Sequence, residues 1–256
     1  MHDFFTSLLS DKKDGLIFQC FGLPHIAYIG FFLGLAVTLY FWLRNQDAAK
    51  RQKWTGAMLN IALGLYAADF FLMPLAYGEI NIEKLPFHVC TTMCVTCFLS
   101  RHNRFFGKFR LQLAALGFVS NLVYLIYPAG VMWYGVHPLS YRAFQTLVFH
   151  GFMMVYGFLV LTFEAEEFSW RKFYRDAGVI LAMTLWAMLG NWIYNSETQV
   201  FNWFFVVQDP FAMFPGDLSP WIMPPLNFVL FLTAELLVYW LFAQLRRCNG
   251  REVAAR

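Results

Sequence analysis

Long apolar runs dominate this sequence and restrict the folds that are open to it. Several of them reach the ~20 residues that an α-helix needs to cross a lipid bilayer. The composition agrees, because 59% of the 256 residues are apolar and only 14% are charged, whereas an average soluble domain is roughly 25% charged. The sequence therefore predicts an all-α, multi-pass protein of the cell (inner) membrane, with little chain left for a soluble domain.

The apolar runs and the polar turns between them predict seven transmembrane helices in one domain that spans residues 1–256. An N-terminal segment, 1–23, precedes the first helix; it contains acidic residues and has no continuous apolar core, so a cleavable signal peptide is not expected. The segment 195–220 is long for a plain connection, which indicates a lid or a re-entrant element. The predicted helices cover residues 24–43, 54–77, 85–100, 111–127, 140–163, 176–194 and 221–245.

The basic residues predict an orientation. With seven spans, 15 of the 19 Lys and Arg residues fall on one side, and the positive-inside rule makes that side cytoplasmic. The N-terminus is then outside, with the segment 195–220 as an outer loop, and the C-terminus is in the cytoplasm. A formal charge of +3 is too small, and too evenly spread, to indicate nucleic-acid binding. The 15 are Arg44, Lys50, Arg51, Lys53, Arg101, Arg104, Lys108, Arg110, Arg171, Lys172, Arg175, Arg246, Arg247, Arg251 and Arg256.

The stretch LPFHVCTTMCVTC, residues 85–97, concentrates reactive side chains. Pro86 suits the first turn of a helix, where its missing N–H costs nothing. Cys90, Cys94 and Cys97 are spaced i, i+4, i+7 and so share one helical face. A thiol near the imidazole of His88 is typical of nucleophilic catalysis, although cysteine is also a common small residue of apolar cores. Five scattered cysteines do not indicate a disulfide framework.

In this topology most ionisable or polar groups within the spans fall in their outer half, Asn202 follows in the outer loop, and Glu235 lies near mid-depth. Because charged groups in hydrocarbon cost at least ~2.5–3.5 kcal/mol each, such residues normally face an interior cavity. The cytoplasmic half contains almost none. The sequence thus predicts a polar pocket that opens toward the outer side. The residues concerned are His25, Asp69, His88, Cys90, His150, Asn191, Asn202 and Glu235.

A thiol activated by an imidazole can carry an acyl group as a thioester. Cys90 is the predicted nucleophile, and either His88 or His150 is the base. His150 is preferred because it lies on another helix, whereas His88 is about 200° around the helix from Cys90. Asp69 or Glu235 is expected to orient the imidazole, as in a catalytic triad. His25, Asn191 and Asn202 are expected to bind or orient substrate, the two amides as oxyanion donors; Asp69 and Glu235 are equally consistent with structural hydrogen bonds between helices.

Metal binding and retinal binding are two other functions to consider for this chain. His88 and the three cysteines of the span offer soft ligands for zinc or copper(I), but Cys97 lies more than about 10 Å along the helix from His88. A two-helix site of His150 and one cysteine remains as a metal alternative. Retinal binding is excluded because the last span has no lysine for a Schiff base. No metal and no cofactor are therefore predicted.

Several ordered motifs carry a family resemblance along nearly the full length: FGLPH, LPFHVC, NLVYLIYPAG, YRAFQTLVFHG, GNWIYNSETQVFNW and DLSPWIMPPL. With them the chain resembles the YwaF-type integral membrane proteins of bacteria, which share a superfamily with a vertebrate transmembrane ether-lipid acyltransferase. The resemblance implies a seven-helix fold and acyl transfer to a lysophospholipid, with the catalytic roles near Cys90 and on His150. One departure concerns the vertebrate motif, where the cysteine adjoins the histidine; here Cys90 follows two residues after His88.

The sequence hypothesis is thus a membrane acyltransferase that acts at the outer leaflet. Cys90 takes an acyl chain from a phospholipid, and a lysolipid or another lipid alcohol or amine accepts it; with water as acceptor the enzyme is a lipase. The first alternative is a transporter or channel whose path contains His25, Asp69, His150 and Glu235. The second is a non-catalytic lipid-binding module. The oligomeric state is not predicted.

Overall fold

The computed structural model describes residues 16–77, 82–133, 135–164, 169–209 and 219–254. Within these ranges the chain forms helices and no strand, as the all-α prediction requires. The predicted N-terminal segment up to residue 15 and the part of the outer loop at 210–218 lie outside the described residues. The helices are α1 (Leu23–Leu43), α2 (Ala48–Tyr77), α3 (Val89–His102), α4 (Arg104–Gly107), α5 (Arg110–Ile126), α6 (Ala129–Trp133), α7 (Tyr141–Glu164), α8 (Trp170–Tyr194) and α9 (Ser219–Ala254), with 3₁₀ turns at Ile82–Lys84 and Trp203–Phe205.

Six helical stretches in the described ranges are long and apolar enough to cross a membrane: α1, α2, α7, α8, α9 up to Leu245, and α5 taken together with α6 (Arg110–Met132). Each corresponds to one of the seven predicted spans. The remaining prediction, residues 85–100, corresponds to α3, which has 14 residues. At 1.5 Å per residue α3 is about 21 Å long, shorter than the ~30 Å hydrocarbon core. The multi-pass architecture is therefore confirmed, while the count of seven stays a prediction.

Two helices begin earlier than predicted, because side chains cap their first turns. The Asp47 carboxylate accepts a hydrogen bond from the backbone N–H of Lys50 at 2.7 Å, and α2 begins at Ala48. The Ser169 hydroxyl accepts one from the N–H of Lys172 at 3.3 Å, and α8 begins at Trp170. Such caps satisfy N–H groups that have no partner inside the helix. The predicted starts at 54 and 176 are wrong, since charged residues that the sequence pattern assigned to loops are helical.

The placement of Pro86 in a first helical turn is also wrong. His88 is the N-cap of α3, with extended backbone angles, and the helix begins at Val89. Pro86 lies before the helix and serves as an acceptor instead. Its carbonyl accepts hydrogen bonds from the Thr92 hydroxyl at 2.6 Å and from the Trp186 indole N–H at 2.6 Å. The segment in front of α3 is thereby tied both to α3 and to α8.

The chain divides into two compact units, of which unit 1 comprises residues 1–82 and 120–159. In it, α7 is bound to α2 by polar contacts: the Tyr141 hydroxyl donates to Asp69, and the Gln145 amide donates to the Leu65 carbonyl at 3.4 Å. Gly151 of α7 leaves room for the Phe32 ring of α1, since a Cβ at Gly151 would lie 2.3 Å from that ring. The helices of unit 1 are thus held by specific polar and steric fits.

Unit 2 comprises residues 83–119 and 160–256. Here α8 packs against α9, and both contact the 3₁₀ turn Trp203–Phe205. Gly190 of α8 lies against the ring of Phe87, and Phe87 stacks on Trp186 with ring centroids 4.9 Å apart. Aromatic rings therefore fill the end of this unit that carries the N-terminus of α3. Helices α5 and α7 contribute residues to both units.

Candidate functional site

His150 is buried in α7 of unit 1, with 7% of its surface exposed. Its Nδ1 lies 2.6 Å from the backbone carbonyl of Thr146, one turn earlier in the helix. A carbonyl oxygen can only accept, so Nδ1 carries the proton of this hydrogen bond. In the neutral imidazole the lone pair is then on Nε2. The contact with Thr146 therefore fixes the tautomer in which Nε2 can accept a proton.

Aromatic side chains hold the His150 ring in place. The ring of Tyr124, from α5, stacks on it with centroids 3.7 Å apart and an interplanar angle of 11°. Phe149 presents its edge at 5.0 Å. Gly130 leaves room for the Tyr124 hydroxyl, because a Cβ at that position would lie 2.7 Å from the oxygen. Tyr124, Thr146 and Gly130 are thus parts of the histidine site that the sequence analysis did not single out, although they lie in the quoted motifs NLVYLIYPAG and YRAFQTLVFHG.

His25 is fully buried, and both of its ring nitrogens meet backbone groups in unit 1. Nδ1 accepts from the N–H of Phe21 at 2.9 Å, and Nε2 lies 2.8 Å from the Leu125 carbonyl. Because Nδ1 accepts, Nε2 is the donor to Leu125. His25 thus connects the beginning of α1 to the end of α5. In this arrangement the residue positions helices, and its predicted contact with substrate stays a prediction.

Asp69 is buried in α2, and its Oδ1 accepts from the Tyr141 hydroxyl at 2.8 Å. A buried carboxylate needs hydrogen bonds of this kind, since burial without them is costly. The group bound to Nδ1 of His150 is the Thr146 carbonyl, and the predicted role of Asp69 in orienting the imidazole stays a prediction. Its visible role is to bind α7 to α2.

Cys90 is the second residue of α3, in unit 2, and is 4% exposed. Cys94 and Cys97 are also buried, as expected for three cysteines on one face. The first N–H groups of a helix have no partner within it and favour negative charge nearby. A thiolate, the nucleophilic form of cysteine, is therefore better accommodated at Cys90 than at Cys94 or Cys97 further along α3. The pairing of Cys90 with His150 stays a prediction.

His88 caps α3 without a side-chain hydrogen bond to the helix, and its ring meets the edge of Phe205 at 5.5 Å. The residue is half-buried, unlike Cys90. It therefore belongs to the aromatic end of unit 2. Its predicted role as an alternative base stays a prediction.

The two asparagines predicted to be oxyanion donors bind backbone groups of the segment after α8. Asn191 donates to the Trp203 carbonyl at 3.1 Å and accepts from the Trp203 N–H at 3.0 Å. Asn202 donates to the Gln208 carbonyl at 2.7 Å and accepts from the N–H groups of Val207 and Gln208. These contacts give both side chains a positioning role for the segment, and the oxyanion role stays a prediction.

Glu235 is fully buried in unit 2 within a cluster whose other members are not among the predicted site residues. The cluster, called here the charged cluster, consists of Lys172 and Asp176 on α8 and Glu235 and Tyr239 on α9. The Tyr239 hydroxyl donates to Asp176 Oδ1 at 3.2 Å, and the Lys172 ammonium lies 3.5 Å from the centre of the Tyr239 ring. All four side chains are buried. Placing Lys172 in a loop concealed the cluster, although both pairs are spaced i, i+4.

No three His, Cys, Asp or Glu side chains of the described residues gather closely enough to hold a metal ion. The cluster around Glu235 contributes two carboxylates and an ammonium, and the three cysteines of α3 extend over two turns of one helix.

Comparison with known proteins places the chain in a family. No curated protein and no solved structure matches this chain. The model of the TMEM164 family matches residues 20–244, a range that includes α1 to α8 and α9 up to Gln244. This protein is a multi-pass membrane protein that belongs to the TMEM164 family.

Proposed function

We propose that this protein is a membrane-embedded acyltransferase of the cell (inner) membrane. It takes an acyl chain from a phospholipid and transfers it to a lysolipid or another lipid alcohol or amine. His150 is the general base and Cys90 carries the acyl group. The observation that supports the proposal best is the His150 tautomer: a buried imidazole with Nδ1 bound to the Thr146 carbonyl has Nε2 as its basic nitrogen.

The proposed reaction has two balanced steps. The Cys90 thiol gives its proton to Nε2 of His150 and its sulfur attacks the ester carbonyl carbon, so a carbon–sulfur bond forms and the carbon–oxygen bond to the lysophospholipid breaks. The proton held on the imidazole goes to the departing oxygen. The acceptor hydroxyl then attacks the thioester, gives its proton to the base, and the thiolate leaves and is protonated again. Water in place of the lipid acceptor gives hydrolysis.

The proposal includes the finer topology predicted from the sequence. In it α3, extended by the residues before His88, completes a seventh crossing, the N-terminus is outside and the C-terminus is cytoplasmic. The uneven distribution of Lys and Arg supports this orientation. Cys90 then lies near the outer surface, and the acyl donor comes from the outer leaflet. The aromatic contacts of His88 and the anchored segment after Asn191 would shield that end from water.

Reconstitution tests the activity directly. The full chain is placed in vesicles of phospholipid with an isotope-labelled acyl chain, and lysophospholipid is added as acceptor. We expect labelled diacyl product with the natural chain and a loss of about 10²–10⁴-fold with His150→Ala, the contribution typical of a general base. Cys90→Ala should abolish transfer, and mass spectrometry should find a hydroxylamine-sensitive acyl group on Cys90.

Cys94→Ala is the matched control, because it removes another buried thiol of the same helix. It should leave transfer within about twofold of the natural chain if Cys90 is the nucleophile. Equal loss from both cysteine variants, or full activity of Cys90→Ala, would contradict the assignment of the nucleophile. Release of free fatty acid without labelled diacyl product would make the protein a lipase.

A transporter or channel is the second candidate, and one observation favours it. The charged cluster buries a lysine and two carboxyl groups between α8 and α9, and intramembrane groups of this kind commonly mark ion or proton paths. Vesicles loaded with a pH-sensitive dye separate the candidates. Proton flux that requires Glu235 and persists in Cys90→Ala would support transport over acyl transfer.

A further inference from the structure

The charged cluster in unit 2 contains one carboxyl group that is bound differently from the other. Asp176 accepts from the Tyr239 hydroxyl through Oδ1 at 3.2 Å, while its Oδ2 is buried without a hydrogen-bond partner among the described residues. Both carboxyl oxygens of Glu235 are buried and have no hydrogen-bond partner among the described residues. Both side chains are fully buried. A buried carboxylate without hydrogen bonds is among the most costly groups a protein interior can hold.

If every group is ionised, the charged cluster carries a net negative charge. Lys172 contributes one positive charge, while Asp176 and Glu235 contribute one negative charge each. Lys172 and Asp176 are four residues apart on α8, where oppositely charged side chains are neighbours. With those two charged, a neutral Glu235 leaves the cluster without net charge, which is the least costly state in a medium of low dielectric constant.

We propose that the charged cluster is a proton-binding site, in which Glu235 binds and releases one proton while Lys172 and Asp176 remain a charged pair. The ligand is the proton itself. The site contains neither Cys90 nor His150, and no step of the proposed acyl transfer uses it, so the inference does not depend on that function. It gives the protein a second ionisable centre, between α8 and α9, that responds to pH.

The geometry favours a proton over a metal cation. Two carboxyl groups and no further His, Cys, Asp or Glu of the described chain come together here, and the ammonium of Lys172 repels a second cation. The titratable and charged groups that act on Glu235 are Asp176 and Lys172 from α8. On its own helix Tyr239, one turn further, bonds to Asp176. A single proton is the occupant that this set can accommodate.

Dicyclohexylcarbodiimide provides a direct test, because it is apolar and reacts with protonated carboxyl groups. The carboxyl proton moves to a carbodiimide nitrogen, the oxygen bonds to the central carbon, and rearrangement gives a stable N-acylurea. We expect peptide mass spectrometry of native membranes to find the label on Glu235, to find less of it as the pH rises, and to find none in Glu235→Gln. Asp176, in the same cluster, should remain unlabelled. Label on Asp176 alone, or none on either residue in acid, would overturn the proposal.

Thermal unfolding of the purified full chain gives an independent measurement. A glutamine has nearly the shape of a protonated glutamate, so Glu235→Gln should leave the unfolding midpoint unchanged in acid and raise it near neutral pH, where the glutamate of the unfolded chain is ionised. Asp176→Asn should lower it, because it leaves the Lys172 charge without its neighbour. The natural chain should lose stability as the pH rises and the proton leaves, and Glu235→Gln should lose less. If Glu235→Gln lowers the midpoint as much as Asp176→Asn, Glu235 is charged and the proposal is wrong.

Discussion

The Tyr141 hydroxyl donates to Asp69 Oδ1 at 2.8 Å and so connects the first turn of α7 to the buried carboxyl group of α2. Hydrogen bonds to charged groups contribute about 1.5–3 kcal/mol to stability, and removal of the Tyr141 hydroxyl also takes this donor away from a buried oxygen of Asp69. His150 lies nine residues further along α7, so the contact also helps to set where that helix carries its imidazole.

Tyr141→Phe should therefore lower the free energy of unfolding by about 1.5–3 kcal/mol. Asp69→Asn should cost less, because the amide oxygen can still accept from Tyr141. Tyr174→Phe is the matched control, since that side chain is 68% exposed on α8. Denaturation followed by circular dichroism measures all three variants; an equal effect of Tyr141→Phe and Tyr174→Phe would show that the Asp69 contact contributes nothing.

The stack of Tyr124 on His150 predicts how the histidine tautomer responds to mutation. Nitrogen-15 NMR of labelled histidine distinguishes a protonated Nδ1 from a protonated Nε2. The natural chain and Tyr124→Phe should show His150 with the proton on Nδ1, because both keep the ring stack. Tyr124→Leu should give a mixture, since the imidazole loses a contact that contributes about 0.5–1.5 kcal/mol in aromatic pairs.

Thr146→Ala controls for the acceptor in the same experiment. The contact to Nδ1 comes from the backbone carbonyl, which alanine retains. The tautomer should therefore stay as in the natural chain. An Nε2-protonated His150 in the natural chain would remove the main support for His150 as the base.

The sequence predicted the membrane helices well because apolar length alone decides them. Six predicted spans coincide with helices of membrane length, and the burial of Cys90, Cys94 and Cys97 follows from their shared face. Helix starts were less predictable, since Ser169 and Asp47 cap turns that contain lysine and arginine. Charged residues near a helix boundary predict a loop by pattern alone, and for that reason the pattern does not indicate the charged cluster.

The partners of single polar residues could not be predicted from spacing. His25 binds a carbonyl 100 residues away, at Leu125, and nothing in FGLPH indicates which backbone group will face it. The charged cluster is a different case. Its members form two i, i+4 pairs, Lys172 with Asp176 and Glu235 with Tyr239, in or next to predicted helices. Pairs at this spacing lie on one helix face, so they can indicate polar faces that meet inside a membrane.

The hydrogen bonds of Asn191 predict how easily a protease cleaves the segment that follows α8. Its amide pairs with both backbone groups of Trp203, so Asn191→Ala removes two hydrogen bonds at once, each with a net contribution of about 0.5–1.5 kcal/mol. We expect limited proteolysis within residues 196–209 to become several-fold faster. Asn191→Asp keeps the acceptor and should be intermediate.

Gln199→Ala, an exposed side chain in the same segment, is the control for that experiment. It should leave the cleavage rate unchanged. A cleavage rate in Asn191→Ala equal to that of the control would mean that Trp203 is held by its ring contacts with Phe87 and Phe201 and not by the amide.

Gly190 and Gly178, both on α8, offer a matched pair of substitutions. A Cβ at Gly190 would lie 2.4 Å from the ring of Phe87, whereas nothing lies within 4 Å of one at Gly178. Phe87 cannot move aside easily, because it stacks on Trp186 at 4.9 Å and packs on Trp203 at 5.0 Å. Alanine adds helix propensity of about 1 kcal/mol at either site, but overpacking costs about 1–3 kcal/mol.

Gly178→Ala should therefore keep or raise the thermal midpoint, and Gly190→Ala should lower it. Phe87→Leu combined with Gly190→Ala should recover part of the loss, since the smaller side chain yields the space that the new methyl group needs. The non-additivity of the two changes measures their contact directly. Equal midpoints for the two alanine variants would mean that Phe87 does not lie against α8 as described, and the aromatic end of unit 2 that surrounds His88 would have to be arranged differently.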